Sequence, residues 1–254
     1  MPYAELLTQL TVDCKDDGVR FLQHERIQAI KSILRDSEYQ LLEEGNLSLL
    51  YGKLTKGTEA YRTLVSSHID CVYTECFVRE DTAADCWLGT FDNSATNAAV
   101  IDLMLQGKLD DSVLIAFTGD EEKNSAGAVE ILQTLQKGNY PIERIFVLDV
   151  TNEGWEDEAA FSIENDRNFD IVTGFQLVNM FQESNQLCMF VHEAEPDETW
   201  VYGKIMDADR SGIPCLSLCL PIGGNMHSDA GIFLRKSSIQ PYEHILSLLA
   251  NAQL

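Results

Sequence analysis

The chain has 254 residues, enough for one large α/β domain or two small ones with a substantial core. Its 41 acidic against 18 basic residues give a formal charge of −23, which repels nucleic acid and an anionic membrane surface and suits metal cations or amine-bearing ligands. No signal-peptide pattern opens the sequence, no apolar run reaches membrane-spanning length, and the seven cysteines lack CxxC spacing, so a cytoplasmic protein with free thiols is expected.

Residues 3–10 and roughly 20–35 carry apolar side chains at helical spacing, the second through Val19, Leu22, Ile27, Ile30, Ile33 and Leu34. A hairpin is expected across Tyr39–Leu42 and Leu47–Tyr51, turning at Glu44-Gly45-Asn46. Thr63-Leu64-Val65 reads as a strand leading to His68. Asn93–Gln106 reads as a helix stopped by Gly107. Val113–Phe117 is a buried strand running into Asp120-Glu121-Glu122, and Ala126–Gln136 a second helix closed by Gly138. Ile145–Leu148 is a strand ending on Asp149. Cys215–Leu220 is another, leading through Gly223-Gly224 to His227, and an amphipathic helix from about Tyr242 to Ala250 follows. Strands buried on both faces and alternating with helices predict an α/β fold, a three-layer αβα sandwich around a mixed, largely parallel central sheet. No repeat or linker divides the chain, so residues 1–254 are expected to form a single catalytic domain.

In such sheets ligands bind beyond the carboxyl ends of the strands. That is where five separated stretches fall: His68-Ile69-Asp70, Asp92-Asn93, Glu121-Glu122, Asp149 and His227. Each has an ordinary explanation by itself. A His-x-Asp triplet binds metal in roughly one case in ten, paired glutamates often start a solvated helix, and Asp92 could be a helix N-cap. Those explanations strain when all must hold at the strand ends of one sheet. A functional reading gives every residue a role. Asp92 bridges two cations about 3.5–4 Å apart, His68 and Asp149 complete one of them, and Glu122 and His227 complete the other. Nitrogen and oxygen donors suit zinc, with cobalt or manganese as substitutes. Glu121 is left free as general base, taking a proton from the metal-bridging water and passing it to the leaving amine. Asp70 would orient His68.

The series resembles the co-catalytic zinc exopeptidases, a superfamily that includes leucyl-type and tetrahedral aminopeptidases, aminoacylases and glutaminyl cyclases. The resemblance rests on Ser67-His68-Ile69-Asp70, Gly89-Thr90-Phe91-Asp92-Asn93, Asp120-Glu121-Glu122 followed by Gly127-Ala128, Asp149-Val150-Thr151, and Ser211-Gly212-Ile213-Pro214 through Pro221 to Met226-His227-Ser228. It spans roughly residues 15–250. The Asp-Val-Thr and Gly-Ile-Pro…His-Ser stretches are most similar to tetrahedral glutamyl-type aminopeptidases. Those relatives insert a domain between His-x-Asp and the bridging aspartate, whereas here 21 residues separate Asp70 from Asp92. Aminoacylase-type relatives insert a lid between the fourth and fifth ligands, and the 77 residues from Val150 to Met226 leave too little for one. The layout therefore resembles single-domain leucyl-type aminopeptidases without lid or dimerisation insertion.

The resemblance implies a zinc metallopeptidase, an aminopeptidase that cleaves N-terminal residues from a peptide or amino-acid-derivative substrate with a two-metal-bridged hydroxide. Glu153 and the acids at 156–158 are candidates to receive the substrate amine, and Asp207-Ala208-Asp209 is a candidate to line the site. An N-acyl amino acid hydrolase or carboxypeptidase on the same metals would need a cation for the substrate carboxylate, with Arg167 and Arg210 available. A glutaminyl cyclase and a non-catalytic metal-binding relative are further alternatives; retention of Glu121 favours turnover. His24, His192 and His244 are expected to be structural or surface residues.

Overall fold

The computed structural model describes residues 1–13, 24–54, 60–167, 171–184, 187–191, 194–207 and 213–252. In chain order the elements are α1 (Tyr3–Leu10), α2 (His24–Ile33), β1 (Gln40–Glu44), β2 (Ser48–Gly52), β3 (Thr63–His68), β4 (Val78–Asp81), β5 (Cys86–Gly89), α3 (Ser94–Leu105), β6 (Val113–Thr118), α4 (Ala126–Lys137), β7 (Arg144–Thr151), β8 (Phe161–Arg167), α5 (Ile171–Ser184), β9 (Cys188–Val191), α6 (Glu198–Asp207), β10 (Cys215–Pro221), β11 (Gly223–Gly224), β12 (Ile232–Arg235) and α7 (Lys236–Asn251).

Successive residues of a strand face opposite sides of a sheet, and the apolar runs of this chain fill both sides. Val65, Ile115, Phe146 and Leu216 pack with α1, α3 and α7. Their neighbours Leu64, Leu114, Ile145 and Cys215 pack with α4 and α6 on the other face. The three layers follow from this division. The eight-stranded sheet runs β1-β2-β6-β3-β7-β10-β8-β9. Its central strands β6, β3, β7 and β10 are parallel, while β2 joins β6 and β8 joins β10 antiparallel.

From β3 the chain passes through α3 to β6 on one side, then returns through α4 to β7 on the other. The carboxyl end of β3 is thus a topological switch point, the place where open α/β sheets bind ligands. Helix α3 lies between the sheet and helices α1 and α7, and every residue from Ser94 to Met104 is buried. Several of its polar members find partners near the helix start. The Thr11 and Ser94 hydroxyls lie 2.7 Å apart, and those of Ser67 and Thr96 2.9 Å apart.

A four-stranded antiparallel sheet, β11-β12-β5-β4, has no counterpart among the sequence expectations. Its strands are short, and β4 reads Val-Arg-Glu-Asp, which carries no apolar alternation. This sheet ties the segment before Asp92 to the segment around His227, since Ile232 pairs with Gly89 and Gly224 with Ile232. A Cβ on Gly89 would lie 2.2 Å from the Phe77 carbonyl oxygen, so only glycine permits this approach.

Other boundaries differ for local reasons. The last helix begins at Lys236 rather than Tyr242 and carries Pro241 within it. Helix α4 runs one residue further than expected, to Lys137, with Gly138 as its C-cap at a right-handed φ of −80° and the left-handed turn at Asn139, φ 51°. Elements β8, α5, β9 and α6 arise from sequence that had suggested none. In the helix expected over 20–35, Val19 and Leu22 lie outside the described residues, as do His192, Ala208, Asp209, Arg210, Ser211 and Gly212. No helix among the described residues is long and apolar enough to cross a membrane.

Candidate metal centre

His68 is the last residue of β3, Glu121 and Glu122 follow β6, and Asp149 lies two residues before the end of β7. Asp92 precedes α3, and His227 follows β11. The fold brings all six to the wall of one cavity of about 540 Å³.

Two half-sites share the Asp92 carboxylate. Asp92 Oδ1 lies 3.1 Å from His68 Nε2, which is in turn 3.4 Å from Asp149 Oδ1. Asp92 Oδ2 lies 3.2 Å from His227 Nε2, which is 3.5 Å from Glu122 Oε2. Donor atoms of His68, Asp92 and Glu122 all fall within 4.8 Å of one another. Each half-site therefore offers one imidazole nitrogen, one terminal carboxylate and one oxygen of a shared carboxylate.

The backbone around the cluster is held from several directions. Asp70 faces His68 Nδ1 at 3.5 Å. It also accepts the backbone N–H groups of Glu121 and Glu122, each at 3.2 Å. Asn97 Nδ2 donates to the His68 carbonyl at 2.8 Å, and Asn93 Nδ2 donates to the Leu148 carbonyl at 2.8 Å, which joins the start of α3 to β3 and β7. The Asp92–Asn93 peptide is cis. His227 has a φ of 62°, and Asp229, two residues later, accepts the Thr74 N–H at 3.0 Å and its hydroxyl at 2.7 Å. That clamp fastens the His227 loop to the segment following His68-Ile69-Asp70.

The electrostatics fit a site built for cations. Burial pushes Glu121 up to about 9, and neighbouring Asp149, Glu198 and Glu122 push it in the same direction. Burial, then Asp92, raises Glu122 to about 9. Burial also raises Asp149. Asp92 is lowered despite its burial, because His227 and His68 hydrogen-bond to it. Burial opposes the imidazolium of His68, but Asp149, Asp70 and Asp92 together outweigh it and raise His68 well above its ordinary value. Glu122 Oε1 is buried without a hydrogen-bond partner. Four carboxylates packed this closely repel one another, and divalent cations among them would relieve that repulsion. The donor set of two imidazoles and three carboxylates suits zinc, cobalt or manganese.

Sequence reasoning missed several residues here. Arg26, fully buried, donates from Nε to the Leu10 carbonyl at 2.9 Å and from Nη1 to the Ile69 carbonyl at 2.9 Å, holding the first motif from behind. On an amphipathic helix a lone arginine reads as solvent-facing, so nothing local marked it. Glu164 of β8 lines the cavity, as do Glu195 and Asp197. Of the acids considered for the substrate amine, Glu153 lines the cavity, whereas 156–158 are not among its lining residues. Arg167 stacks on the Trp200 ring at 3.8 Å and is not part of the wall.

Comparison with known proteins gives a family and a fold. The profile of peptidase family M28 matches residues 50–196. No curated protein matches the sequence. Among solved structures, a TET aminopeptidase from a marine-sediment Thaumarchaeota archaeon is similar at a TM-score of 0.76 and 11% identity, over 99% of this chain and 97% of that one. Aminopeptidase APDkam598 of Desulfurococcus kamchatkensis is similar at 0.70 and 10% identity, over 98% and 94% of the two chains. The LapA aminopeptidase of Legionella pneumophila follows at 0.64 and 13%, over 99% of this chain and 71% of its own. At these identities the likeness is one of fold.

Proposed function

This chain belongs to peptidase family M28, and from that premise we propose that it is a metal-dependent aminopeptidase acting through the cluster around Asp92. The observation that carries the reading is the shared carboxylate, whose two oxygens face two separate imidazole–carboxylate half-sites. His68 and Asp149 would hold one divalent ion and Glu122 and His227 the other, most simply zinc, with Asp92 between them. Ions bound there would polarise the scissile carbonyl and acidify the attacking water.

The protein's own groups do the rest. Glu121 is half-buried beside the cluster, with no side-chain ion pair to either half-site. Its carboxylate takes the proton of the attacking water and returns it to the leaving nitrogen. Asp70 acts through its neighbours: one carboxylate orients His68 and fixes the amides of both glutamates, so it sets the position of base and ligands together. Glu153, on the cavity wall, is the candidate to receive the substrate's free amine.

The reading also takes the chain as a single catalytic domain without a lid, in a cytoplasmic setting. Cysteines 71, 76, 86, 188, 215 and 219 are free thiols, as a reducing compartment would keep them. A panel of aminoacyl p-nitroanilides, N-acetylated amino acids and peptides with N-terminal glutamine tests the class. Release of product only from free-amine substrates is the expected result. Activity confined to acylated substrates, or cyclisation of glutamine alone, would replace the aminopeptidase with one of its relatives.

A further inference from the structure

We infer that Glu164 is the specificity-determining residue of the cavity and binds the ammonium or guanidinium of a basic N-terminal side chain, so that lysine- and arginine-initiated peptides are the substrates. The inference deepens the aminopeptidase reading and rests on it.

Glu164 lies on the cavity floor and is only 8% exposed. Its position follows from strand register. Cys219 of β10 pairs with Asp149 of β7, and Ser217 of β10 pairs with Glu164 of β8. Glu164 therefore stands two strands across from Asp149 and two residues along, roughly 12 Å at the usual interstrand spacing and rise per residue, on the same face of the sheet. A substrate's α-amine lies within two bonds of its scissile carbonyl and stays at the metal centre. The end of a long side chain reaches two strands further.

The carboxylate is fixed in place, and among the described residues no opposite charge pairs with it. The Ser162 hydroxyl donates to Oε1 at 2.7 Å. None of the ion pairs formed by the described residues involves Glu164. The nearest arginine in sequence, Arg167, is engaged with the Trp200 ring. Burial pushes Glu164 above its ordinary value, and Asp149 and Asp197 push it the same way. A buried carboxylate without a cation is costly to the free protein, and a substrate cation offsets that cost. Val191, Ala194, Pro196 and Met226 on the wall give the methylene stem of lysine or arginine an apolar path. Glu195 and Asp197 beside it disfavour acidic side chains.

The test compares kcat/KM for lysyl, arginyl, leucyl and glutamyl p-nitroanilides, using the metal-loaded protein and its Glu164→Gln variant. The wild type should prefer lysine and arginine. The variant should lose roughly 30-fold or more on those two, chiefly in KM, the usual cost of deleting one partner of a buried charge pair. Leucyl turnover should stay close to that of the wild type, which also shows that the variant is folded. Equal cleavage of lysyl and leucyl substrates by the wild type overturns the inference and leaves the aminopeptidase reading standing. A uniform loss on all substrates in the variant overturns it too, since that marks a structural or amine-binding role. No cleavage of any free-amine substrate overturns both.

Discussion

Asp70 accepts the backbone N–H of Glu121 at 3.2 Å, so the first motif of the chain holds the loop that carries the candidate base. The same carboxylate reaches the Glu122 amide and faces His68 Nδ1. One side chain thereby couples a candidate ligand of each half-site to the candidate base.

Asp70→Asn should therefore do more than loosen one ligand. The asparagine keeps the volume, but its amide group cannot accept from a backbone N–H, so one of the two loop contacts is lost. Metal affinity should fall by about 10–100-fold, and turnover should stay below the wild type even at saturating metal because Glu121 is no longer fixed. Competitive chelator titration, run beside a rate assay, reads both effects. Full recovery of rate at high metal would confine Asp70 to orienting His68.

The bridging role proposed for Asp92 is separable by experiment from the terminal role proposed for His227. Asp92→Asn should weaken both metals, since each half-site loses an anionic oxygen. His227→Ala should weaken one and spare the other. Metal analysis after dialysis against a weak chelator distinguishes these patterns. Unchanged content in the Asp92 variant would refute the bridge.

Removing metal should also lower stability, because a ligand bound only to the native state stabilises it by mass action. At 100 times the dissociation constant the effect is about 2.7 kcal/mol, equivalent to roughly 5–10 °C in melting temperature for a chain of this size. Differential scanning fluorimetry with and without chelator measures it. Identical melting curves would mean that the carboxylate cluster holds no ion.

A second buried acid predicts a pH effect away from the site. Glu243 of α7 is pushed up to about 8, first by burial and then by Asp102 of α3 beside it. The folded protein therefore keeps a proton that the unfolded chain has released, and stability is lost as pH rises from the ordinary carboxyl range through 8. Glu243→Gln removes that loss. Its melting temperature should gain on the wild type as pH rises from 5 to about 9; parallel pH profiles would show that Glu243 is ionised in the folded state.

The central sheet and its site were legible for one reason. Strands β3, β6, β7 and β10 are buried on both faces, which leaves continuous apolar runs, and their ends carry His68, Glu121-Glu122 and Asp149. The region from 152 to 207 was not legible. Strand β8 reads Phe-Ser-Ile-Glu-Asn-Asp-Arg, and its Glu164 lines a polar cavity instead of a core, so only a short alternation over Phe161–Glu164 remains in place of a continuous apolar run. Glu164 became visible only through its pairing with Ser217. The small sheet stayed hidden because a two-residue strand such as β11 has no periodicity to read. Arg26 shows the converse limit: its burial is set by carbonyls of Leu10 and Ile69, which no local pattern brings together.

Metal titration into chelated protein, with hydrolysis of an aminoacyl p-nitroanilide and metal content followed together, tests the central claim most directly. The wild type should be inactive when stripped and regain activity as metal binds. Glu121→Gln should take up the same metal and remain slower by about 10²–10⁴-fold, the usual contribution of a general base. Turnover by the stripped protein, or normal turnover by metal-loaded Glu121→Gln, would contradict hydrolysis at this centre.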